Sequence, residues 1–191
     1  MLDTTIKYNW RLHIYTLLCI VFLVSCSKDT SVRKKDDCGK HLFALLKDFD
    51  PKNKQQFENG FISLETIHQI GNNKKLFRTK KRRERYANMT RKEYEEQIID
   101  YAYDMISGEG DAFDINWDKI KYIDFGYKEQ DYSNLETIKG KLIFEYKKRK
   151  YDVGCIYVKV GKEWKLSGIA GFFMHGVNNS PKPKNPYLFE I

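Results

Sequence analysis

Leu142-Ile143-Phe144-Glu145-Tyr146, Tyr151-Asp152-Val153-Gly154-Cys155-Ile156-Tyr157-Val158 and Trp164-Lys165-Leu166-Ser167-Gly168-Ile169-Ala170-Gly171-Phe172-Phe173 follow one another with only short polar breaks between them. Within each run, apolar and aromatic residues recur at every second position, which is the spacing of a strand with one face buried. The breaks, residues 147–150 and Gly161-Lys162, are short enough to be hairpin turns. Three consecutive hairpin-linked strands predict an antiparallel meander. Upstream, Ile120, Tyr122 and Asp124 begin a further strand toward Tyr127. Gly154, Gly168 and Gly171 lie inside strands, where glycine marks a bend or bulge.

Before residue 114 the period is helical. Leu42, Leu45, Leu46 and Phe49 predict a helix that begins after Asp36-Asp37, which can cap its free amides, and ends before Pro51. Phe57, Phe61, Leu64, Ile67 and Ile70 predict a second one stopping at Gly71, with Gly60 as its weak point. Thr90-Arg91-Lys92-Glu93 fits a capping box, followed by a stripe of Tyr94, Ile98, Tyr101, Ala102 and Met105 toward Gly108 and Gly110. Helices first and a meander afterwards predict an α+β fold: N-terminal helices packed on one face of a curved antiparallel sheet.

The order of elements, closing in Gly161-Lys162-Glu163-Trp164-Lys165-Leu166, resembles the cystatin-like or nuclear-transport-factor-two-like domains of small exported lipoproteins. The resemblance covers roughly residues 85–173. It implies a sheet wrapped around a helix, sometimes leaving a cone-shaped cavity, and implies no single activity.

The other end of the chain supplies an address. Lys7 and Arg11 precede an apolar run over residues 15–24, which is too short for the ~20 residues of a spanning helix. Leu23-Val24-Ser25-Cys26 then resembles the lipobox of bacterial lipoproteins. That resemblance implies a signal peptide over residues 1–25, removed on export, and lipid on Cys26. Two or more acyl chains anchor a protein stably. Ser27 rather than Asp follows the cysteine, which points to the outer membrane of a bacterial cell envelope, periplasmic or surface face open. Residues 26–37 are polar and charged and read as a flexible tether. Residues 38–175 form one domain, and 176–191, with Pro181, Pro183 and Pro186, an extended tail.

The net charge is +8, and much of the excess lies between Lys74 and Arg85. Lys80, Lys81, Arg82 and Arg83 are candidates for contact with an anionic surface such as lipid headgroups. A plainer reading makes this run a solvated loop or exposed helix start. No nucleic-acid recognition motif is present, so no nucleic-acid partner is expected.

Cys38 and Cys155 are candidates for a disulfide in an oxidising compartment; otherwise Cys155 is a small buried strand residue. His41, His68 and His175 are widely spaced, and Cys38-Gly-Lys-His41 supplies too few ligands for zinc. No metal, cofactor or catalytic residue is assigned. Thirteen Tyr and twelve Phe could fill a core or line a site. The leading expectation is a membrane-anchored, non-catalytic binding module that meets an unknown protein or small molecule through the concave sheet face or the basic segment. One alternative is a small-molecule enzyme working in the cone, with Asp124 or Asp152 as base and Tyr122, Tyr146 or Tyr157 as donor. Another is an inhibitor or immunity-type lipoprotein.

Overall fold

The meander forms as its alternation predicts, and its strands are longer than the apolar runs that announce them. In the computed structural model, which describes residues 32–77, 79–130 and 134–175, β1 (Lys121–Gln130), β2 (Thr137–Tyr146), β3 (Arg149–Val160) and β4 (Glu163–Met174) pair antiparallel in the order β1-β2-β3-β4. The sheet is open. Lys147 and Lys148 make the β2–β3 turn with φ of 49° and 64°, the left-handed geometry that a two-residue hairpin requires. Gly161, at φ 62°, begins the β3–β4 turn. Register shifts fall at Gly154/Cys155 and Ile156/Tyr157, opposite Gly171 and Gly168, so the strand glycines mark bulges as expected. A third shift, between Tyr122 and Asp124, leaves Ile123 unpaired in β1.

The helices are α1 (Asp37–Lys47), α2 (Lys54–Glu58), α3 (Leu64–Asn72), α4 (Lys80–Ala87), α5 (Arg91–Tyr94) and α6 (Tyr101–Ala112). The helix expected over residues 57–70 is two helices. Between them Phe61 bridges Leu166, and the Ile62 amide donates to the Leu166 carbonyl at 2.8 Å, so this stretch lies along the outer edge of β4. Backbone pairing there replaces the helical bonds that the periodicity predicts. Gly60 allows the close passage, since a Cβ would stand 2.6 Å from Leu45 Cδ1.

The capping box forms in full: Thr90 Oγ1 accepts from the Glu93 amide at 3.2 Å, and Glu93 accepts from the Thr90 amide at 2.7 Å. The helix it starts does not stay α-helical. Glu95–Asp100 is a π-helical turn joining α5 to α6, and this wider turn buries the adjacent Ile98 and Ile99 together. The stripe is displaced as a result. Ala102 and Ile106 are fully buried in α6, while Met105 is only partly so. Asp36 also departs from expectation. It makes no side-chain cap for α1, and its carboxylate accepts from Tyr127 Oη at 3.3 Å.

Residues 1–31, including the signal segment, the lipobox and Cys26, lie outside the described residues, as does the tail 176–191. The last part of the expected tether is described, and it is fixed to the domain. Val32, the one apolar residue of that stretch, is buried against the edge of β4, and its carbonyl accepts from the Trp164 amide at 2.6 Å. Lys35 lies over the Trp164 ring at 5.7 Å. Among the described residues no helix is long and apolar enough to cross a membrane.

The core lies between the sheet and the helices. α1 crosses β1 and β2, and α6 runs against β4. Phe49, Phe57, Trp117, Phe144, Tyr151 and Phe172 fill the space with edge-on and stacked rings 5.3–6.2 Å apart.

Candidate functional site

One interior polar group is Tyr157, fully buried on β3. Its hydroxyl donates to the Cys38 carbonyl at 2.9 Å and lies 2.8 Å from His41 Nδ1. A phenol has one proton, so with that proton on the Cys38 carbonyl the imidazole donates from Nδ1. Burial holds Tyr157 well above the usual phenol range, so it stays protonated. Burial, helped by the positive charge of Lys165, pushes the His41 pKa down to about 4 and keeps the ring neutral at pH 7. The pair bonds β3 to α1. Its geometry is that of a satisfied buried network rather than of an acid and base facing an empty space.

The Asp–Tyr pairing that an enzyme in the cone would use does not assemble. Among the described residues no hydrogen bond joins Asp124 or Asp152 to Tyr122, Tyr146 or Tyr157. Asp124 is exposed on β1 and accepts from the neighbouring Phe125 amide at 2.8 Å. Tyr122 is 38% exposed and packs edge-on against Phe43. Tyr146 lies under the Lys147 ammonium, 5.1 Å from its ring.

Asp152 is buried, on the sheet face away from Tyr157. Its Oδ1 lies 2.6 Å from His175 Nδ1, and its Oδ2 lies 3.5 Å from Lys141 Nζ. Sequence reasoning missed this pairing. An acid at an outward position between apolar neighbours was the one available signal, and it names no partner.

Cys38 and Cys155 are free thiols, both completely shielded, and form no bridge. Cys38 Sγ is directed at the Lys34 carbonyl, 3.9 Å away in the turn that leads into α1. Burial, with Asp37 and Asp36 nearby, pushes its pKa up to about 12, and burial raises Cys155 as well. Both are therefore thiols and not thiolates. Among the described residues no group of three or more His, Cys, Asp or Glu is placed to hold a metal.

The charged features are on the surface. The basic run is helix α4 from Lys80 onward, with Thr79 as its cap. Lys80 and Lys81 are exposed, and Arg82 and Arg83 half-buried. Tyr86 anchors the helix, buried and stacked on Phe77 at 5.0 Å. Lys80 pairs with Glu84 at 3.5 Å, and Arg85 donates to Gln97 at 3.2 Å, which leaves most of the positive charge facing solvent. An open cleft of about 370 Å³ carries the opposite sign. Asp111, Asp114 and Asp118 stand around it over Phe49 and Trp117, and Lys147 holds Asp114 below the usual carboxylate range.

No protein-family model, curated protein or solved structure matches this chain.

Proposed function

We infer that this chain is a lipid-anchored module of a bacterial cell envelope, held at the membrane by Cys26, that acts by binding rather than by catalysis. The lipobox Leu23-Val24-Ser25-Cys26 supports the anchor. The observation that carries the binding reading is the filled interior. The helices pack on a four-stranded antiparallel sheet, and if that arrangement is read as a cystatin-like or nuclear-transport-factor-two-like cone, aromatic rings occupy the space in which a substrate would sit. The buried Tyr157 hydroxyl is satisfied by Cys38 and His41, and the basic face of α4 lies outside. The basic face of α4, on the same molecule as a lipid anchor, suits an anionic membrane surface, where each Lys or Arg near the headgroups contributes about 1 kcal/mol.

Two measurements test this reading. Cys26→Ala should move the protein from the detergent phase to the aqueous phase, and unchanged partitioning rejects the anchor. Replacing Lys80, Lys81, Arg82 and Arg83 by Gln should weaken sedimentation of Cys26→Ala protein with vesicles of anionic lipid. Equal binding by both proteins rejects the headgroup contact.

A further inference from the structure

The two edges of the sheet are treated differently. The outer edge of β4 is covered by chain, with Val32 bonded to Trp164 and Ile62 bonded to Leu166. Among the described residues nothing pairs with the outer edge of β1, a strand of ten residues. An open edge of that length is a template for another strand, and proteins blunt such edges unless they use them.

Past the bulge at Ile123, β1 is regular from Asp124 to Gln130. Phe125 and Tyr127 face the core side, so Asp124, Gly126 and Lys128 share the opposite face. Among the described residues Asp124 has no cationic ion-pair partner and Lys128 no acidic one. Gly126 lies between them, where a Cβ would meet nothing within 4 Å.

The spacing is self-complementary. If β1 meets a second β1 antiparallel with Gly126 opposite Gly126, Asp124 of each copy falls opposite Lys128 of the other, and Phe125 falls opposite Tyr127. Both ion pairs then form on one face and both aromatic pairs on the other. This is what a two-fold axis midway between the two strands requires. We propose that the partner of the β1 edge is a second copy of this chain, joined through residues 124–128 in that register into one continuous eight-stranded sheet. Formation requires the Asp124 carboxylate to release the Phe125 amide, which it holds in the single chain.

The test is the mass of the full-length protein in detergent solution by sedimentation equilibrium, with charge-swap variants and a cysteine probe. Wild type should dimerise. Lys128→Asp, which places acid opposite acid twice, should raise the dissociation constant about tenfold or more. The double variant Asp124→Lys/Lys128→Asp should restore it. Gly126→Cys should give a disulfide-linked dimer on mild oxidation, because directly opposed strand residues lie within disulfide reach. Lys162→Cys, on the exposed β3–β4 turn, should not. A monomeric wild type, a dimer indifferent to Lys128→Asp, or a double swap that fails to recover would each overturn the proposal. The cysteine result does not depend on how the charge variants fold. The membrane reading can fail without altering any of these outcomes.

Discussion

Tyr157 Oη reaches the Cys38 carbonyl across 2.9 Å, joining the middle of β3 to the first turn of α1. The same oxygen lies 2.8 Å from His41, one turn further along that helix. A single hydroxyl thus fixes how the first helix sits on the sheet, in a place where water cannot substitute for it.

Tyr157→Phe should keep the packing and remove the bond. The Cys38 carbonyl and His41 Nδ1 would both lose a buried partner, at a cost of about 1–3 kcal/mol. Urea unfolding is the measurement, and the expected result is a lowered midpoint with an unchanged slope. A midpoint equal to wild type would mean that the hydroxyl contributes nothing.

His41 predicts how stability responds to acid. Its pKa is about 4 in the folded protein against 6.5 for the free side chain, so between those values the unfolded chain binds the extra proton. Stability is then fully present above pH 6.5 and falls as pH drops toward 4. The contribution of this residue is roughly 3 kcal/mol. His41→Gln should remove that part of the slope between pH 6.5 and 4. If both proteins titrate alike, the burial argument for His41 fails.

Two helical glycines should respond in opposite directions to alanine. At Gly71 a Cβ would overlap the backbone of Tyr86 and Ala87, where α3 and α4 touch, and backbone cannot move aside cheaply. Gly71→Ala should destabilise by about 1–3 kcal/mol or more. At Gly108, exposed in α6, nothing lies within 4 Å of a Cβ, and Gly108→Ala should stabilise by about 0.5–1 kcal/mol. Thermal melts of the pair suffice, and shifts of the same sign would contradict this packing.

The thiols offer a test of burial. Cys38 and Cys155 should be silent toward a thiol reagent in the native protein and react once the chain is unfolded in denaturant. Rapid labelling of the native protein would place one of them at the surface, and no labelling after unfolding would reveal a bridge.

Much of the architecture is legible in local pattern. The alternation over residues 142–173, the polar break at Gly161-Lys162 and the Thr90–Glu93 box are short-range signals that form as written, while the break expected over residues 147–150 narrows to a turn at Lys147-Lys148 because Arg149 and Lys150 pair within β3. The candidate site was far less legible. The Cys38–Cys155 bridge rested on compartment alone, with nothing to fix the separation of the two chains. The Asp–Tyr pairing rested on residue type, and Asp152 instead meets His175, a neighbour only because β3 and β4 pair.

By itself the sequence determined the order of helices before strands, the hairpin turns, and which face of each strand is apolar, because such preferences are settled within a few residues. Only the tertiary structure decided that Tyr157 serves Cys38 and His41. It also decided that the chain near Phe61 leaves the helix to cover β4, and that among the described residues nothing pairs with the outer edge of β1. The physical reason is separation along the chain: the Tyr157 bond joins residues 119 apart. No local period records which distant group will arrive to satisfy a buried polar atom or an open strand edge.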